Sequence, residues 1–207
     1  MRRFVISLGL LFCLAASAWA AEESPVDVVS ATTHQTLDAI ASQRAVLEKE
    51  PAKIYQLVED ILLPAFDFDY TARLVLGRYW RTATPEQQQQ FRDAFYKFLV
   101  HTYANGLLQY DDEKVEIEPL RGEPNPRYTL VRTKVFLEDG TAVPVDYALH
   151  LTDKGWKVFD VTIEGISYVT NYRNDFGAQI EQKGLDALIT RLEQQAAEAR
   201  AKVEAGA

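Results

Sequence analysis

The sequence predicts an α+β protein: helices packed on a curved antiparallel sheet of about four strands, cone-like, with an internal apolar pocket. Three observations predict it. Helical periodicity runs from residue 26 to 109 and returns after 167. Between about 115 and 163 it gives way to period-two alternation punctuated by turn signals. One long helix also carries an unbroken apolar and aromatic face, and a curved sheet set against such a helix encloses space suited to an apolar ligand.

The first twenty residues are read apart from the fold. Arg2 and Arg3 precede an apolar run from Phe4 to Leu14, then small residues and Ala18-Trp19-Ala20, with the first acids at Glu22 and Glu23. That order is a secretory signal peptide, cleaved after about Ala20. A membrane-spanning helix needs ~20 strongly apolar residues, and this run is about half that. The expected organisation is therefore a signal peptide over 1–20 and one domain over 21–207. The single cysteine, Cys13, leaves with the signal, so the mature chain holds no disulfide or thiol chemistry. The full chain carries a formal charge of −8, and loss of Arg2 and Arg3 makes it more acidic. That balance argues against nucleic acid and against stable insertion in or tight adhesion to anionic membranes.

The elements follow in order. Residues 22–25 read as a polar leader. From Val26 to Glu50, Val29, Thr33, Leu37, Ile40 and Leu47 fall on one helical face. Ile54, Leu57, Val58, Ile61 and Leu62 make a second helix stopped at Pro64. Residues 65–82 read as two short helical pieces or one kinked helix, with Gly77 as the weak point. The clearest helix spans 85–109: Thr84, Pro85 and Gln87 form an N-cap, an N1 proline and a capping box. Phe91, Phe95, Phe98, Leu99, Tyr103 and Leu107 continue its apolar face toward Tyr110. Residues 115–117 alternate like an edge strand, and 128–138 with 142–151 form a hairpin about Asp139-Gly140. A further strand, 156–163, follows the Asp153–Gly155 turn. Helix returns over 167–182, breaks at Gly184, and resumes from Leu185 before fading into an Ala/Glu tail.

Catalytic chemistry finds little support. There is no Gly-rich phosphate loop and no G-x-S-x-G. Ser167 reads as a helix cap. His34, His101 and His150 lie on separate elements without metal spacing and read as solvated or edge residues. Asp67 and Asp69 read as caps of short helices. Asp111–Glu113 reads as a solvated turn. Asp146 and Asp160 lie within strands, where arginine partners such as Arg132 or Arg173 are the ordinary expectation. The alternative is a cone-fold enzyme acting on a small apolar substrate with Asp146 or Asp160 as general base.

A resemblance then covers nearly the whole mature chain. The run Leu63–Phe68 (LPAFDF) is followed by Val75–Gln87 (VLGRYWRTATPEQ), then Phe91, Phe95 and Tyr103. Near the end stand Trp156–Val161 (WKVFDV), Glu164–Ser167 (EGIS), Asn171–Phe176 (NYRNDF), and Gly184, Leu185, Asp186, Leu188 and Ile189. In this order and after a signal peptide, they resemble the MlaC family, also called the toluene-tolerance auxiliary family. The tail and the 119–127 loop look individual.

The resemblance implies an NTF2-like cone and a periplasmic phospholipid-binding protein of the Mla pathway, not an enzyme. Such proteins shuttle glycerophospholipid between an outer-membrane lipoprotein–porin complex and an inner-membrane ABC transporter with an MCE-domain ring, maintaining outer-membrane lipid asymmetry. No cofactor and no metal are expected, the bound phospholipid being cargo. The expected lipid-binding residues are Leu99, Tyr103 and Leu107 on the long helix, and Val145, Tyr147, Leu149, Val161 and Ile163 on strands. Ile166 and Val169 are expected to close the pocket. Arg132, Lys134 and Arg173 are the candidates for a phosphate at the mouth.

Overall fold

The computed structural model describes residues 23–108, 114–137 and 139–205. The signal-peptide reading, the Gln109–Tyr110 end of the long helix and the Asp111–Glu113 turn lie outside the described residues.

The first helix, α1 (Pro25–Leu47), starts one residue before the expected periodicity because the polar leader supplies its cap. Ser24 and Asp27 form a capping box, and Pro25 occupies the first turn. Val29, Thr36, Ile40 and Leu47 are buried along one face. Next comes α2 (Lys53–Leu57), continued by a π turn over Val58–Leu62 and a 3-10 turn over Leu63–Ala65 that contains Pro64. Asp67 then caps α3 (Phe68–Leu76) by accepting from the Tyr70 N–H. At Gly77, φ is +54° and the Arg173 side chain lies 3.6 Å from where a Cβ would stand. A side-chain-bearing residue there would be strained, so the chain breaks into a 3-10 turn over Gly77–Arg81. Helix α4 (Pro85–Leu108) follows, with both bonds of the Thr84/Gln87 capping box formed.

The sheet is an antiparallel meander in the order β1 (Lys114–Ile117), β2 (Thr129–Phe136), β3 (Ala142–Thr152), β4 (Gly155–Ile163) and β5 (Ile166–Ser167). The register shifts between Ala148 and Leu149, leaving Phe159 as the extra residue of β4. Such a bulge bends and twists the strand. It also resets the alternation, so Trp156 and Val158 before it share a face with Val161 and Ile163 after it. The outer edge of β4 is not left open. The Asp67 N–H donates to Val158 O at 2.8 Å, the Thr71 hydroxyl donates to Phe159 O at 2.8 Å, and β5 pairs with Thr162 and Ile163.

Two helices complete the chain. α5 (Tyr168–Lys183) is capped by Ser167, and Gly184 separates it from α6 (Leu185–Glu204). The tail does not fade after Leu192 as expected. Helix α6 continues to Glu204 and buries Ala196 and Val203, because it packs along α4. That packing also corrects the reading of His101 as solvated. Its Nδ1 lies 3.0 Å from Ala196 O, and its ring meets that of Tyr55.

Three hydrophobic clusters hold these elements. One joins α3, α4, α5 and α6 around Phe91, Phe95, Tyr172 and Phe176, whose rings meet mostly edge to face. A second seats Val28 and Val29 of α1 on Val131, Leu149, Trp156 and Val158 of the sheet. The third gathers Ile40, Leu47, Ile54 and Leu57 against Val100 and Ala104 of α4. Phe176 is 1 % exposed at the centre of the first. Phe176→Ala is expected to lower unfolding free energy by about 3–5 kcal/mol, against about 1 kcal/mol for Thr84→Ala at the α4 cap, read by denaturant titration.

Candidate functional site

The three clusters meet around a cavity of about 340 Å³ whose lining comes from all of them. One wall is the face of α4 carrying Phe95, Leu99, Tyr103 and Leu107, with Tyr96, Val100 and Ala104 beside it. These recur at helical spacings of three and four, so a single helix side faces the hollow along three turns. The opposite wall is the end of β4, Val161 and Ile163, continued by Tyr168, Val169 and Tyr172 of α5. Phe66, Phe68, Thr71 and Val75 form the base. The π turn supplies Val58 and Leu62, and the next residue, Leu63, completes that side. π turns are rare and recur where a helix is shaped to a functional surface.

Polar atoms near this space are largely turned away from it. Thr71 Oγ donates to backbone carbonyls at Asp67 (2.9 Å) and Phe159 (2.8 Å). Asp160 uses both carboxylate oxygens on the start of α5. One accepts from the Ser167 hydroxyl at 2.5 Å and the other from the Val169 N–H at 3.0 Å. Tyr96 donates to Glu59 at 3.3 Å, and burial, reinforced by that carboxylate, pushes its phenol up to about 12. At the other end, the Tyr103 and Tyr172 hydroxyls are 2.6 Å apart. Burial, then this bond, holds the Tyr172 phenol far above its usual range. Tyr103 is 44 % exposed and marks the mouth. The result is an apolar chamber with neutral hydroxyls at its rim. Apolar cavities of this kind stay dry and bind apolar molecules.

The model of the MlaC protein family matches residues 30–194. The chain belongs to the MlaC family. It is 31 % identical to the toluene tolerance protein ttg2D of Pseudomonas putida, over 88 % of this chain and 86 % of that protein. It is 24 % identical to the intermembrane phospholipid transport system binding protein MlaC of Haemophilus influenzae, over 86 % and 85 %. A phospholipid-binding protein from Ralstonia solanacearum, solved in complex with a phospholipid, superposes with a TM-score of 0.77 at 32 % identity. That match covers 83 % of this chain and 96 % of the other. The MlaC family and the α+β fold expected from the sequence are thus both found.

The expected residues divide. Leu99, Tyr103, Leu107, Val161, Ile163 and Val169 line the cavity. Tyr147 and Leu149 do not. They share the inner sheet face with Val161, but α1 covers that part of the face and they pack in its cluster, Leu149 at 0 % exposure. Burial pushes the Tyr147 phenol up. Val145 is buried one strand away from the lining, and its carbonyl accepts from Thr133 Oγ at 2.7 Å. Ile166 is 60 % exposed outside the chamber.

The three basic candidates also lie elsewhere. Arg132 and Lys134 alternate with the buried positions of β2 and so face away from the inner side, Lys134 pairing with Glu118 at 3.0 Å. Arg173 Nε donates to Leu74 O at 2.6 Å. The arginine partner expected for Asp160 is replaced by the α5 N-terminus, while Asp146 stands opposite Arg132 in the β2–β3 register.

His150 is no edge residue: its Nε2 lies 2.9 Å from Asp67 Oδ2, and Tyr70 stacks on its ring. Among the described residues, no His/Cys/Asp/Glu group is placed to hold a metal. Tyr168 and Tyr172 escaped the sequence reading, although their i, i+4 spacing beside Val169 puts all three near one face of α5.

Two outcomes follow. Asp160→Ala strips two donors of their acceptor and should cost about 1–3 kcal/mol of stability in denaturant titration. Tyr96 keeps its proton in the folded state at pH values where the unfolded phenol, near 10, has lost it. Stability should therefore fall as pH rises from about 10 toward 12. Tyr96→Phe should flatten that slope in pH-dependent unfolding followed by tyrosinate absorbance.

Proposed function

We propose that this chain is a soluble periplasmic carrier of glycerophospholipid, exported by a signal peptide cleaved after about Ala20 and working as one lipid-binding domain from residue 21 onward. The apolar chamber between α4 and the end of β4 is the observation that carries the reading. The phospholipid bound by the Ralstonia solanacearum relative and the transport role in the name of the Haemophilus influenzae relative support it. Among the described residues, no helix is long and apolar enough to cross a membrane. In this reading the cargo passes between an outer-membrane lipoprotein–porin complex and an inner-membrane ABC transporter with an MCE-domain ring, in the service of outer-membrane lipid asymmetry.

The chamber suits that task. A diacyl lipid exposes about thirty CH₂ groups at ~0.8 kcal/mol each, a gross barrier on the order of 24 kcal/mol to crossing water unaided. A cavity that resembles the bilayer interior makes transfer nearly neutral, so loading and release are both accessible. A carrier is favoured over an enzyme with Asp160 as base because that carboxylate is already engaged by Ser167 and Val169.

Mass spectrometry of an organic extract of the purified protein is expected to yield stoichiometric phospholipid. Leu99→Trp or Val161→Trp, each filling the chamber from one wall, should reduce the lipid recovered several-fold while circular dichroism stays unchanged. An extract of the unaltered protein without phospholipid would end the carrier reading.

A further inference from the structure

The Tyr103 and Tyr172 hydroxyl oxygens lie 2.6 Å apart where the apolar chamber meets solvent, with Tyr103 44 % exposed and Tyr172 only 8 %. The Tyr168 ring flanks both, at 5.6 Å from Tyr103 and 6.1 Å from Tyr172. The Tyr168 hydroxyl also engages that of Tyr103. The three hydroxyls carry three protons and the two bonds among them use two, so one O–H of the cluster remains for another acceptor. In the empty protein water can meet it. A hydrocarbon chain lying across the pair would displace that water and leave the donor bare, which is costly at an apolar boundary.

The acceptor that fits is neutral. No Lys, Arg or His is among the residues described in the lining, and Lys134 and Arg173 are engaged elsewhere. A charged phosphate at this depth would lose hydration without a cation to replace it. Burial keeps the Tyr172 phenol protonated, and therefore a donor, at any physiological pH. A glycerophospholipid with its tails inside and its headgroup in water places the acyl ester carbonyls at this boundary.

Building on the carrier reading, we infer that the Tyr103–Tyr172 hydroxyl pair is a neutral donor site for an acyl ester carbonyl, so that the protein distinguishes ester-linked from ether-linked chains. The pair then sets how far the lipid enters, with the carbonyl held at the rim and the chains below it.

The test offers delipidated full-length mature protein equimolar dipalmitoyl phosphatidylethanolamine and its dihexadecyl diether analogue in mixed vesicles. Bound lipid is then quantified by mass spectrometry. Unaltered protein is expected to favour the ester lipid about fivefold, the worth of one hydrogen bond. The double variant Tyr103→Phe with Tyr172→Phe keeps both rings and should bring the ratio to about one, the larger loss falling on the ester lipid. Should the double variant fold poorly by circular dichroism, Tyr103→Phe alone, at the exposed position, should still lower the ratio. Equal uptake of the two lipids by unaltered protein overturns the inference and leaves the carrier reading intact. So does a preference that survives the substitutions, or a loss shared equally by both lipids. Uptake of neither lipid by unaltered protein overturns the carrier reading and the inference together.

Discussion

Helix α4 belongs to two hydrophobic clusters and faces a third, and among the described residues no side chain fills the space where they meet. Phe91 and Phe95 anchor it to α5 and α6, while Val100 and Ala104 anchor it to the N-terminal helices. The sheet is filled separately by α1. Each cluster is closed by its own packing, so collapse into the hollow would require pulling α4 away from partners it already has. An unfilled volume of this kind costs on the order of several kcal/mol, because its lining loses contacts that a packed core would make. A molecule that occupies the space restores those contacts, and binding to the folded state alone raises stability by mass action.

The same anchoring keeps the wall apolar. Several polar groups close to the chamber have nearby structural duties. Thr71 secures the bulged β4 backbone at Phe159, and Asp160 holds the start of α5. Asp67 ties three parts together: its N–H bonds Val158, one carboxylate oxygen caps α3, and the other meets His150. These bonds join the base of the chamber to the sheet edge without offering charge to its interior. The hydroxyls of Tyr103 and Tyr172 stand at the rim with Tyr168 beside them, where solvent or a ligand oxygen is within reach.

Much of the fold is legible in local sequence because it is specified locally. The Thr84/Gln87 capping box, the cap residues Asp67 and Ser167, the breaks at Gly77 and Gly184 and the Asp139-Gly140 hairpin each act within a few residues. Three features escape such reading. The extra residue Phe159 in β4 shifts the alternation midway, and no local pattern announces it. The length of α6 depends on contact with α4, so its Ala-rich end looks like a tail until Ala196 and Val203 are seen buried. The π turn over Val58–Leu62 looks like ordinary helix followed by a proline. For the candidate site, period two identified the inner sheet face correctly, with Tyr147, Leu149, Val161 and Ile163 all upon it. It could not say that α1 covers the first two, since which element lies over a face is a tertiary fact.

The position of the bulge explains why only the last part of β4 reaches the chamber. Before Phe159 the strand runs beneath α1, and Trp156 and Val158 belong to that packed layer. At the bulge the strand bends, and beyond it Val161 and Ile163 line the hollow. Phe159 itself is buried against Tyr70, His150 and Tyr128, which fixes the bend, and it also borders the chamber. A strand of unbroken register would keep the alternation without that bend, and the end of the sheet would continue under the packed layer instead of opening toward α4. The chamber therefore depends on one surplus residue as much as on any of the side chains that line it.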